Sequence, residues 1–122
     1  MNPSNNLTTD FFNLIKDSTP YLALYTTSPN AADTSGTEVT GGSYARKAIT
    51  FGTPNLTAGE MKSTNTINFA GLPTTTIKFY GIRTAATGGD LKAFGPVSDI
   101  AALSGDEVTV AVGNITVTFG SA

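Results

Sequence analysis

The chain of 122 residues contains no cysteine, no histidine and no tryptophan. Without cysteine there is no disulfide, no thiolate ligand and no thiol nucleophile. Without histidine the commonest general base at neutral pH and the commonest metal ligand are gone. The usual nucleophilic triads and zinc centres are excluded together. Charge is also scarce: Asp, Glu, Lys and Arg make up 13% of the residues, about half the usual share of ~25%. Seven basic residues against nine acidic ones leave a net charge of −2, and Arg46-Lys47 is the only adjacent basic pair. That is not the basic footprint of a nucleic-acid binder. No apolar run approaches the ~20 residues that a membrane-spanning helix needs. The expectation is a protein that is not an enzyme, carries no cofactor and has neither nucleic acid nor membrane as a partner.

The remaining chemistry is thin. Paired carboxylates could support glycoside hydrolysis, with Asp33, Glu38, Asp90, Asp99, Asp106 and Glu107 as candidates. Asp90 and Asp106-Glu107 stand at turn signals, where carboxylates are routine. The glycine pairs at 41–42 and 88–89 lack the GK[ST] ending and the following helix of a phosphate loop. No spacing matches an EF-hand, which leaves only a weak calcium site among loop oxygens as a minor alternative.

Threonine and glycine are abundant instead, and a length of 122 residues reads as one domain. Apolar and polar residues alternate with period two from Tyr21 onward, broken by Gly, Pro and Asn. The pattern predicts strands over 21–27, 44–52, 64–70, 75–85, 90–95, 98–102, 107–112 and 114–119. Strand 75–85 carries apolar groups on both faces and reads as central. Thr87-Gly88-Gly89-Asp90 and Ser104-Gly105-Asp106 read as turns, the first as a hairpin. Val112-Gly113-Asn114-Ile115 would join VTVAV to ITVTF as a final antiparallel pair. The fold class expected is mainly β: an antiparallel β-sandwich or jelly-roll-like domain with one short N-terminal helix. Residues 1–20 would form an arm and short helix, and residues 21–122 a single β-rich domain.

The helix is placed at Leu7–Lys16, with Leu7, Phe11, Leu14 and Ile15 as its apolar face. Asn6 is its expected N-cap, and Asp10 sits near its positive end. Ten residues need a surface to pack on, either the chain's own sheets or a neighbouring subunit. Phe12 falls on the flank of the stripe and is the candidate for an intersubunit contact. Residues 1–6 are a polar tail or an arm that orders on a neighbour. The loop from Ser28 to Ser43 is long for a compact domain, and such loops are usually functional or flexible. Tyr21, Tyr25, Tyr44, Tyr80, Arg46 and Arg83 have two readings. They could be interface anchors, or rings that close the core and guanidiniums that pair with nearby carboxylates.

One resemblance goes further. The order YLALYTTSPNAADTSGTEVTGGSYARKAITF (21–51), then IKFYGIRTAATGGDLKAFGPV (77–97), then a Gly-Asp turn and VTVAVGNITVTF, resembles a family of small virion structural proteins of tailed bacteriophages. It spans most of residues 21–119 and brings no enzymatic motif with it. The resemblance implies a structural role, read first as a capsid decoration or cement protein. Such a protein would bind the outer head surface as an oligomer, expected to be a homotrimer, with itself and the major capsid protein as partners. The alternatives are a minor tail or tail-fibre adaptor with tail proteins as partners, and a carbohydrate-binding module using Tyr44 or Tyr80. MNPSNNLTTD lacks the features of a secretory signal, so the expected location is the virion, on the outer capsid surface or tail, after synthesis in the host cytoplasm. The interface candidates are Asn2, Pro3, Asn5, Asn6, Phe12, Asp33, Glu38, Tyr44, Arg46, Tyr80 and Arg83.

Overall fold

The structure is a computed structural model that describes residues 3–119; Asn2 lies outside them. A helix, α1 (Asn5–Lys16), leads into nine strands: β1 (Tyr21–Thr27), β2 (Thr37–Glu38), β3 (Lys47–Ala48), β4 (Glu60–Lys62), β5 (Ile67–Phe69), β6 (Thr75–Arg83), β7 (Leu91–Ala102), β8 (Val108–Val110) and β9 (Thr116–Thr118). Every pairing is antiparallel. The fold is mainly β with one short helix, as the alternating pattern implies, and no sheet closes into a barrel.

The main sheet runs β2-β1-β6-β7, with β3 also paired to β1. Central β1 is buried from Leu22 to Tyr25, as expected of a strand covered on both faces. β6 pairs β1 on one side and β7 on the other, which confirms the central position read from its two apolar faces. β7 is one strand of 12 residues, not two strands broken at Gly95–Val97. The chain absorbs extra length there: Phe79 pairs Pro96 while Ile77 pairs Ile100. This irregularity flips the alternation near Ser98-Asp99.

The final hairpin expected from VTVAV and ITVTF does not form. β8 pairs β5 and β9 pairs β4, so 60–69 and 108–118 run alongside each other as one interrupted ribbon. The interruption is organised by Ser63, which is 2% exposed. Its carbonyl accepts the Gly113 N–H at 2.9 Å, its N–H donates to the Ile115 carbonyl at 2.9 Å, and its Oγ accepts the Ile115 N–H at 3.3 Å.

The expected strand 44–52 is corrected as well. Only Lys47-Ala48 pair β1. The chain then changes layers: Ile49 N–H donates to the Pro20 carbonyl at 3.0 Å, whereas Gly52 N–H donates to the Lys62 carbonyl at 3.0 Å. A segment that serves two sheets at a corner cannot be a full strand of either.

Helix α1 starts earlier than its periodicity predicts. Ser4, not Asn6, is the N-cap, its Oγ accepting the Leu7 N–H at 3.2 Å, and Asp10 falls outside the first turn. The buried face is Thr8, Phe12 and Ile15. Phe12 is fully buried in the chain's own core, so it is not an intersubunit contact. Leu7 and Leu14 are instead 52% and 69% exposed. The main sheet supplies Leu22, Leu24, Ile77 and Ile82 to the core, the ribbon supplies Met61, Ile67, Phe69, Val110 and Val117, and α1 lies over the same cluster.

Candidate functional site

β1 has a gap along one edge. β3 covers Tyr21-Leu22 and β2 covers Tyr25 and Thr27, which leaves Leu24 between two short partners. The Leu24 carbonyl accepts the Val39 N–H at 2.9 Å. The Leu24 N–H donates to the Tyr44 hydroxyl at 3.0 Å. Tyr44 therefore stands in for a missing strand, with its ring stacked on Phe69 at 6.0 Å between centroids. The turn that delivers it needs Gly42. That residue lies at φ +54°, and a Cβ there would come within 2.4 Å of the Gly71 carbonyl oxygen.

The Tyr44 hydroxyl then donates to Glu38 Oε2 at 2.6 Å. Arg46 grips the same carboxylate with both faces of its fork, Nε to Oε2 at 2.9 Å and Nη2 to Oε1 at 2.8 Å. Its remaining donor, Nη1, reaches the carbonyls of Ala85 at 3.0 Å and Gly88 at 2.8 Å. A planar guanidinium suits this because its donors are fixed in direction.

Arg83, at the end of β6, repeats the arrangement. It pairs both carboxylate oxygens of Asp33, with Nη1 to Oδ2 at 3.0 Å and Nη2 to Oδ1. Its Nε donates to the Tyr25 hydroxyl at 2.8 Å and its Nη1 to the Gly89 carbonyl at 3.2 Å. The Tyr25 ring reaches this position by lying across Gly81, where a Cβ would meet Tyr25 Cε2 at 2.7 Å. Asp33 sits at φ +55°, a backbone region that costs a non-glycine residue energy. The Asn30 side chain secures the same turn by accepting the Thr34 N–H at 2.8 Å.

These contacts close a single polar cluster on which the 28–36 loop, β2, the 43–46 turn and the 84–90 hairpin converge. The Arg46 and Arg83 side chains are 10% and 13% exposed. No buried side-chain polar atom among the described residues lacks a partner. The hydrogen bond from Arg83 holds Asp33 below the usual carboxylate range, against the opposing effect of burial. Burial alone would raise Glu38, but hydrogen bonds from Arg46 and Tyr44 outweigh it and its net shift is downward. Burial, then the bond to Glu38, pushes the Tyr44 phenol up. Two carboxylates held ionised and saturated by arginine do not offer the raised-pKa acid that glycoside hydrolysis requires. The arrangement is a mechanical clamp.

Five of the sequence candidates thus meet in one place: Asp33, Glu38, Tyr44, Arg46 and Arg83. They pair with one another. Pro3, Asn5 and Asn6 lie at the start of α1, with Asn5 and Asn6 exposed. Tyr80 is half-buried in a separate groove of about 540 Å³, lined also by Phe11, Lys92, Phe94, Ile115 and Val117. The groove had no sequence signal, because its walls come from β7 and β9, which do not pair.

Replacing Tyr44 with Phe removes the acceptor for the Leu24 N–H inside a covered strand. The expected loss is about 1–3 kcal/mol, as for a buried donor left unsatisfied, read as a lower urea midpoint. Both carboxylates have folded-state pKa values below their unfolded ones. Their stabilisation is therefore complete above about pH 4, the ordinary carboxylate range, and is lost as pH falls through the depressed values. Thermal midpoints should drop below that pH, and Arg46→Met should flatten the drop.

Two comparisons with known proteins bear on what the clamp serves. Among curated proteins none matches the chain. The sequence model of a protein family described as podophage GP4 fiber I protein gp80 matches residues 5–118. The chain belongs to that family, and is a structural protein of a phage virion.

Proposed function

We propose, from membership of a podophage fiber family, that the protein is a tail-associated fibre component whose role is mechanical. The single observation that carries this is the match over 5–118, which runs from the first turn of α1 to the last residue of β9. The family's description names a fiber and not a head coat, so the tail reading takes precedence over the capsid cement reading. Tail proteins, with further copies of the chain, are the partners this assigns.

The clamp supports a mechanical reading. A fibre element transmits position, and loops that wander would lose it. Here the long loop and the hairpin are tied to the main sheet by two guanidinium–carboxylate pairs and by backbone carbonyls. Bidentate pairs of this kind hold geometry better than single contacts. The sugar-platform reading draws no support from Tyr44, whose hydroxyl is occupied by Leu24 and Glu38 and whose ring packs on Phe69.

Copy number and position in the particle test the proposal together. Quantitative mass spectrometry of purified virions against the major capsid protein should give a small number of copies. Antibody labelling should fall on the tail. Copies comparable in number to the shell protein, with label over the head, would return the protein to a capsid coat.

A further inference from the structure

Helix α1 has a second apolar stripe. At roughly 100° per residue, Leu7 and Leu14 fall on one line, Asp10 and Asp17 lie just to one side of it, and Phe11 just to the other. The chain's core takes the opposite flank through Thr8, Phe12 and Ile15. Leu7 and Leu14 are left 52% and 69% exposed. Two large aliphatic side chains at i and i+7, on a face the chain's own core does not use, are the pattern of a helix with an unfilled contact.

The groove between β7 and the 114–118 segment begins where this stripe ends. Phe11 lines it and stacks on Phe119 at 4.2 Å between ring centroids. Its outer lip is Phe94, which is 43% exposed. Lys92 is the only charged residue among its walls. Lys92 takes part in none of the ion pairs found among the described residues, and neither do Asp10 and Asp17.

A convex stripe of two leucines flanked by carboxylates, and a concave groove with apolar and polar groups among its walls and one ammonium group, are complements in shape and in charge. We propose that the groove is filled by the α1 stripe of a second copy of this chain, with Asp10 or Asp17 of one copy meeting Lys92 of the next. The contact joins two neighbouring patches, so it closes either as a reciprocal two-fold pair or as a ring of copies. The apolar groups supply the affinity and the charges fix the register. This surface lies apart from the arginine clamp, and the inference does not depend on whether the protein sits on head or tail.

Sedimentation of the full chain across a concentration series tests this. The wild type should associate. Leu7→Glu with Leu14→Glu, and separately Phe94→Asp, should each weaken association by about tenfold or more, each tenfold step equalling ~1.4 kcal/mol. All three positions are exposed, so circular dichroism and thermal midpoint should stay near those of the wild type. Asp10→Lys with Asp17→Lys should weaken association, and adding Lys92→Glu in the same chain should restore most of it. A chain that stays monomeric at every concentration overturns the proposal. So does an oligomer indifferent to both the stripe and the groove variants, or a charge reversal that Lys92→Glu fails to rescue.

Discussion

Two arginines organise one end of this molecule. Arg46 and Arg83 each hold one carboxylate in a two-point grip and also donate to backbone carbonyls of the 84–90 hairpin, Arg83 giving its Nε to the Tyr25 hydroxyl. The 28–46 stretch and the 84–90 hairpin, far apart in sequence, meet at these groups. The shortage of charge elsewhere gives the arrangement its meaning: of the seven basic residues, two are committed to internal clamps. Guanidiniums this well covered would be costly to desolvate without full compensation. Each has it, Arg46 from a carboxylate and two carbonyl oxygens, Arg83 from a carboxylate, a phenol and a carbonyl oxygen.

The tyrosines make the clamps part of the fold. Tyr44 fills the break in β1 between its two short partners and passes the contact on to Glu38. Tyr25 belongs to β1 itself and hands its hydroxyl to Arg83. The central strand is thus connected to both guanidiniums by a phenol. Loop position is set by the most buried element in the sheet. For a structural protein of a phage virion, this converts the stability of the core into rigidity at the surface.

How much of this was legible in the sequence depended on range. β1 was read at its true limits because its apolar run is bounded by Pro20 and by Ser28-Pro29. The 84–90 hairpin was legible from Gly88-Gly89, both at positive φ. The pairing of arginines with carboxylates was one of two readings left open by the sequence, and the structure shows that pairing. Strand pairing was not legible. VTVAV and ITVTF alternate as a hairpin should, but alternation assigns a face and not a neighbour. Ser63, a residue with no local signal, decides that they pair with 60–69 instead. The helix was legible but its buried face only in part: periodicity picked Leu7, Phe11, Leu14 and Ile15, and the core took Ile15 with Phe12. Leu7 and Leu14 are thereby surplus to the chain's own core. Tyr44 and Arg46 look like alternate residues of a strand, yet both turn back to serve β1 and β2. No pattern of hydrophobicity encodes a side chain that replaces a strand.

The account stands on the loop end being held rigid by the guanidinium groups, and amide hydrogen exchange measures that most directly. The N–H groups of Thr34, Thr37, Thr84 and Asp90 bond to Asn30, Thr27, Asp90 and Thr84. They should exchange slowly in the native protein. They should lose protection in Arg83→Met while the Ile77 and Ile82 amides in β6 stay protected. If those four exchange at free-chain rates in the wild type, or are equally protected once Arg83 is gone, the loops are not held by the clamp and the central claim fails.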